Sequence, residues 1–227
     1  MWFYDLASKA MDIASSLVTD RAVIGRENVP REGPLLVVSN HLSLIDPPLL
    51  GAVFPRCIYF MAKEELFHVP ALALIVSGYG AYPVRRGEAD RQALRTTLSL
   101  LQAGQVVGIF PEGTRSDDGV LAAGHPGAAL VALKADVPIV PVGIAGSEQV
   151  LKWPRRSLRP RLMVRIGQPF RLEQQRAGGP RESLARHTEH VMAKIAELLP
   201  PQYRQPGTGL AGVESELHQF GGDRAWK

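Results

Sequence analysis

Short, wholly apolar runs constrain this chain most: Leu35-Leu36-Val37-Val38, Val106-Val107-Gly108-Ile109 and Val137 to Val142. Each is too short for a stable helix, and turn-forming or polar residues bound it, so each reads as a strand covered on both faces. The pattern predicts strands over 35–38, 57–61, 81–84, 106–110, 139–144 and 162–166. Between them, three- and four-residue spacing predicts helices over 47–53, 63–77 with a break at Pro70, 89–102, 125–134 and 181–199. That alternation specifies an α/β class, as a single domain with a largely buried mixed sheet flanked by helices. A chain of 227 residues can bury such a core without staples. Its one cysteine, Cys57, excludes an internal disulfide framework and a multi-cysteine zinc site, and points to a reducing compartment. No metal and no cofactor is expected.

The first twenty residues form a unit of their own. Trp2, Phe3, Leu6, Ala10, Ile13, Ala14, Leu17 and Val18 recur at helical spacing, with Asp5, Ser8, Lys9, Asp12, Ser15 and Ser16 on the other face. This amphipathic helix either packs on the domain or lies in a membrane interface, where Trp2 and Phe3 suit the headgroup boundary. No secretory signal is visible. The longest stretch without Asp, Glu, Lys or Arg, Leu66 to Val84, contains Pro70, Gly78, Gly80 and Pro83, so no transmembrane helix is expected. The resulting division is residues 1–20 as helix, 21–204 as the domain, and 205–227 as a loose Gly-rich tail with a weak helix near 213–218.

Four segments carry possible chemistry. Asn40-His41-Leu42-Ser43-Leu44-Ile45-Asp46 follows a buried strand, where sites of open α/β sheets are built. His41 and Asp46 lie about 140° apart on an ideal helix, so only a turn would bring them together. Pairing would make His41 a base; otherwise Asp46 is a helix N-cap ahead of Pro47. Phe110-Pro111-Glu112-Gly113-Thr114-Arg115-Ser116 also follows a buried strand. There Gly113 would allow close backbone approach and Arg115 a bidentate anion contact, or Glu112 and Arg115 form a structural pair. Gly80 to Arg86 ends in two arginines, an anion site or a solvated strand end. Val137, Pro138, Ile139 and Pro141 belong either to a proline-shaped strand or to a substrate tunnel.

In this order the four segments resemble the glycerophospholipid acyltransferase superfamily, most closely its 1-acylglycerol-3-phosphate acyltransferases. Asn40, His41 and Asp46 match the family's N-H-x-x-x-x-D motif, and Phe110 to Ser116 match F-P-E-G-T-R-S throughout. Arg86 sits where the family's second motif ends in arginine, and Val137 to Val142 match its apolar V-P-I-V-P-V strand. The resemblance implies acyl transfer from acyl-CoA or acyl carrier protein to a lysophospholipid hydroxyl at the cytoplasmic face of the cell membrane. It implies His41 and Asp46 as catalytic residues and Asn40, Ser43, Arg86, Glu112, Gly113, Thr114 and Arg115 as acceptor contacts. Val137, Pro138, Ile139 and Pro141 become acyl-pocket or structural positions. One departure is Gly124-His125-Pro126-Gly127, where relatives often carry a lysine before the last glycine.

Charge adds a surface. The net charge is only +4, yet Lys152, Arg155, Arg156, Arg159, Arg161, Arg165 and Arg171 follow one another with no acidic residue between them. With Trp153 among them, Lys152, Arg155 and Arg156 read as a contact for anionic headgroups, for CoA phosphates or for an acidic carrier protein, or as a solvated loop. Nucleic acid is not expected, because no recognised binding module accompanies the run.

Overall fold

The structure, a computed structural model, describes residues 2–85, 90–152, 159–173 and 180–204. Arg86, Trp153, Arg155, Arg156 and the 205–227 tail lie outside the described residues. The chain runs α1 (Trp2–Val18), β1 (Asp20–Ile24), β2 (Leu35–Ser39), α2 (Asp46–Val53), β3 (Ile58–Lys63), α3 (Pro70–Gly78) and β4 (Tyr82–Val84). It continues through α4 (Arg91–Gln102), β5 (Val106–Ile109), α5 (Gly127–Ala135), β6 (Ile139–Ala145), α6 (Ser147–Val150), β7 (Arg161–Ile166) and α7 (Pro180–Ala196).

Among the described residues the strands form one seven-stranded sheet in the order β1-β7-β6-β2-β5-β3-β4. Every neighbouring pair is parallel except β6 with β7, so the sheet is mixed. The strand β1 does not emerge from the sequence pattern. Its residues alternate between exposed and half-buried, because β1 pairs on one side only, at the sheet edge. The apolar runs do occupy the centre: β2, β5 and β6 are buried at every position. Two apolar layers result, one on each face of the sheet. The predicted break at Pro70 divides a short 3-10 turn, Glu64–Phe67, from α3.

Pro141 lies within a central strand without breaking its ladder. On that side β7 ends at Ile166, and the chain returns to β6 only at Phe170, which exchanges two backbone hydrogen bonds with Ile139. Between these points Gly167 N–H donates to the Pro141 carbonyl, so the N–H that proline lacks is not needed there.

The helix α1 is attached through Tyr4, Ser8, Asp12 and Ser15. The Tyr4 hydroxyl accepts from Ile58 N–H, and burial raises its pKa well above the ordinary tyrosine value. Ser8 meets the Tyr79 hydroxyl, and Arg21 reaches both Ser15 and Asp12. Arg159 donates to the carbonyls of Ser16 and Thr19 at the end of the same helix. Consequently Trp2, Leu6, Ile13 and Leu17 face outward, with Trp2 76% and Leu17 70% exposed. Phe3 packs against Gly78, where a Cβ would fall 2.6 Å from the ring. That contact sets α1 beside α3, which also exposes Leu72, Leu74 and Ile75. No helix among the described residues is long and apolar enough to cross a membrane.

Candidate active site

The strands β2 and β5 run parallel with Val38 beside Ile109, so the loops after them leave the same end of the sheet together. This register brings 40–46 next to 110–116 although about seventy positions separate them in sequence. The first loop is held from three directions. Asn40, buried, accepts from Ile144 N–H (2.8 Å) and donates to Ile144 C=O (2.9 Å), tying the end of β2 to β6. Asp46, fully buried, begins α2 and turns its carboxylate back over the loop rather than capping the helix. Its Oδ2 accepts from Leu42 N–H and Ser43 N–H, both 2.7 Å, and contacts His41 Nδ1 at 2.8 Å. Because an ionised carboxylate only accepts, Nδ1 carries the proton and Nε2 keeps its lone pair. This is a base held in one tautomer by a buried acid.

Glu112 gives the third hold. Its Oε1 accepts from His41 N–H (2.8 Å) and its Oε2 from Ala122 N–H (2.9 Å). Burial raises the Glu112 pKa above the ordinary carboxylate value, against these two N–H groups, which lower it. Both oxygens thus serve backbone groups, and Ser116 N–H closes the same clasp onto the His41 carbonyl (2.8 Å).

An aromatic pile fixes the ring of His41. Its imidazole stacks on Phe110 at 4.1 Å between centroids, and Phe110 stacks on Phe60 at 5.7 Å. Gly108 makes the pile possible, since a Cβ there would lie 2.2 Å from Phe60 Cε1. Phe110 opens the second motif segment, but Phe60 and Gly108 do not stand out as site residues in the sequence; an aromatic two positions after a strand glycine was the available signal for the pile.

Two cavities meet at this loop. One, of about 580 Å³, is lined by His41, Met61, Val84, Leu94, Ile109 and Phe110, with Gly113, His125, Leu130 and Val131. The other, of about 590 Å³, is lined by Leu42, Ser43, Arg115, Ser116, Lys152 and Tyr203, with Asp117, Asp118, Glu148 and Gln202. The site residues expected from sequence divide accordingly. His41 and Gly113 line the apolar cavity; Ser43, Arg115 and Lys152 line the polar one. Thr114 is exposed between them, while Asn40 and Glu112 are committed to backbone groups. Ile139 and Pro141 lie in the buried strand β6, Val137 is buried just before it, and neither they nor Pro138 line either cavity. Of the basic run, Arg159 is tied to α1 and Arg171 to the Asp136 carbonyl and carboxylate. Among the described residues no group of three or more His, Cys, Asp or Glu could hold a metal ion.

A family model described as Acyltransferase matches residues 20–145, which spans both loops, the aromatic pile and the sheet centre. The chain belongs to the acyltransferase family. It is 28% identical to the 1-acyl-sn-glycerol-3-phosphate acyltransferase of Bacillus subtilis, over 86% of this chain and 96% of that one. It is 36% identical to the lyso-ornithine lipid O-acyltransferase of Pseudomonas aeruginosa, over 51% of this chain and 44% of that one. Among solved structures, the crystal structure of the 1-acyl-sn-glycerophosphate (LPA) acyltransferase from Thermotoga maritima matches with a TM-score of 0.66 and 28% identity. That match covers 83% of this chain and 76% of that one. The shared α/β fold and sheet thus place this chain's His41–Asp46 pair in an acyltransferase frame.

Proposed function

We propose that this acyltransferase moves a fatty acyl group from acyl-CoA or acyl carrier protein to the sn-2 hydroxyl of 1-acylglycerol 3-phosphate, giving phosphatidic acid for phospholipid biosynthesis. The observation that carries the reading is the His41–Asp46 pair, with His41 lining the apolar cavity and its loop neighbours Leu42 and Ser43 lining the polar one. The donor's acyl chain lies in the apolar cavity, with the thioester carbonyl beside His41. The acceptor's phosphate lies in the polar cavity, gripped by Arg115 and Lys152; a role for Arg86, outside the described residues, rests on the family's second motif alone. Its hydroxyl oxygen attacks the thioester carbon while His41 Nε2 takes the proton, and Asp46 stabilises the imidazolium. The tetrahedral intermediate then expels the thiolate, which takes that proton back from His41. No nucleophilic serine or cysteine is required. Relatives named for 1-acylglycerol 3-phosphate support this acceptor, and the Pseudomonas relative makes other lysolipids the alternative.

Such an acceptor resides in a bilayer, and the outward apolar face of α1 with Leu72, Leu74 and Ile75 of α3 supports peripheral attachment at the cytoplasmic face of the cell membrane. The test of the chemistry is thiol release from palmitoyl-CoA with and without 1-acylglycerol 3-phosphate. Acceptor-dependent release that is lost in folded His41→Ala supports transfer. Acceptor-independent release, or full activity in the variant, overturns it. For the membrane, Leu6→Glu with Leu17→Glu should weaken vesicle co-sedimentation at least tenfold, since each buried leucine contributes about 1.5–3 kcal/mol. Unchanged sedimentation would remove that surface from the account.

A further inference from the structure

Acyl transfer needs a second group besides the base: a hydrogen-bond donor for the carbonyl oxygen as negative charge develops on it. Five backbone N–H groups near His41 are committed elsewhere. His41 N–H serves Glu112, and Leu42 and Ser43 N–H serve Asp46. Gly113 N–H donates to the Phe110 carbonyl, and Ser116 N–H to the His41 carbonyl. The side chains lining the apolar cavity offer further donors. Thr97 is bonded to Tyr82 and to the Ala93 carbonyl, and Arg85 is paired with Glu64. Arg91 begins α4.

His125 differs from these. Its N–H donates to the Pro111 carbonyl at 2.8 Å, anchoring it to the turn that carries Phe110, on which His41 stacks. Its ring rests on Gly113, whose φ of 69° leaves no room for a side chain: a Cβ would lie 2.9 Å from Cδ2 and 3.4 Å from Nε2. The imidazole is thus placed beside the catalytic turn, it lines the same cavity as His41, and its ring nitrogens make no hydrogen bond among the described residues.

We propose that His125 is a second catalytic residue, whose imidazole N–H donates to the thioester carbonyl oxygen while His41 removes the proton of the attacking hydroxyl. The proton of His125 is shared with the oxyanion and not transferred, so the neutral ring suffices. The assignment rests on the acyl-transfer reading above and adds to it the group that stabilises the charge His41 helps create.

The experiment is steady-state acyl transfer from palmitoyl-CoA to 1-acylglycerol 3-phosphate by wild type, His125→Ala, His125→Phe and His125→Gln, each checked for an unchanged melting temperature. Phenylalanine keeps the packing on Gly113 and removes the donor; glutamine restores a donor. Loss of one oxyanion donor costs about 10²–10³ in kcat. The expected result is a fall of that size in His125→Ala and His125→Phe, with both KM values within a few-fold of wild type, and recovery of at least tenfold in His125→Gln. Near-wild-type kcat in His125→Phe, or a loss confined to either KM, would overturn the assignment alone. A wild-type protein without acceptor-dependent release would overturn the acyl-transfer reading and this assignment with it.

Discussion

The two cavities beside the His41–Ser43 loop are nearly equal in size, about 580 and 590 Å³, and differ in lining: the first is mainly apolar, and the second mixes charged, polar and apolar groups. The difference follows from which elements build each wall. In the first, α4 and α5 lie on the sheet and turn Leu94, Leu130 and Val131 inward, because helices that cover a buried sheet must present aliphatic faces to it. In the second, the walls are the turn 115–119, the short helix α6 with Lys152, and the 3-10 turn Pro201–Tyr203. Such segments satisfy their own backbone groups with polar side chains, as Asp118 does by accepting from Val120 N–H and Ser116 Oγ. A site for a long apolar chain beside a charged head group therefore needs little special design in this fold. It needs a base where a helix-covered strand end meets a loop-covered one.

The largest expected effect removes the junction itself. Asp46→Asn keeps the size of the side chain and an oxygen that can accept from His41 Nδ1–H, but it removes the negative charge that stabilises the imidazolium, so the base is weakened. Acyl transfer should fall by about 10²–10⁴ with both KM values little changed, measured as acceptor-dependent thiol release. Activity within fivefold of wild type would show that the pair is structural. The next breaks only the polar side. Arg115→Ala removes the proposed charge-assisted contact with the acceptor phosphate, and KM for 1-acylglycerol 3-phosphate should rise about tenfold or more while KM for palmitoyl-CoA holds. Equal rises in both would merge the two cavities into one function. Phe110→Ala releases the His41 ring from its stack and should lower kcat about tenfold on either side equally. A change in one KM alone would assign Phe110 to that substrate instead.

The smallest effect concerns the clasp. In Glu112→Gln only one of the two N–H groups keeps a good acceptor, which should cost about 1–3 kcal/mol in urea unfolding. The pH dependence has a definite sign. The Glu112 carboxyl is raised from its ordinary 4.5, so its contribution is greatest below that value, where it is protonated, and declines as pH rises through the raised value. Wild type should accordingly lose part of its advantage over Glu112→Gln on going from pH 4 upward. A growing advantage would mean that the backbone N–H groups outweigh burial.

Much of this was legible in the sequence, for physical reasons that differ by region. The central strands announce themselves because burial on both faces demands unbroken apolar runs such as Leu35 to Val38. The edge strand β1 escaped, since Asp20-Arg21-Ala22-Val23-Ile24 needs only one covered side. The His41–Asp46 turn follows from spacing and Pro47, but the destination of Glu112 does not: a carboxylate in a loop reads as a ligand until its partners are known to be His41 and Ala122 N–H. The amphipathic pattern of α1 gave its helix and not its orientation. Tyr4, Ser8 and Ser15 decide that, by docking their side of the helix on the domain. The aromatic pile stayed hidden because Phe60 lies in β3 and Phe110 just after β5, and no local pattern reveals the register of these adjacent strands.

The most direct test of the division at His41 compares Arg115→Ala with Leu130→Trp, which fills the apolar cavity. Both KM values are measured for each variant with palmitoyl-CoA and 1-acylglycerol 3-phosphate, and Leu130→Trp is measured again with a short-chain acyl-CoA. Crossed effects are expected: Arg115→Ala impaired toward the acceptor alone, Leu130→Trp impaired toward palmitoyl-CoA and recovered with the short chain. If Leu130→Trp instead raised the KM for the acceptor and left palmitoyl-CoA unaffected, the assignment of the two cavities would be wrong.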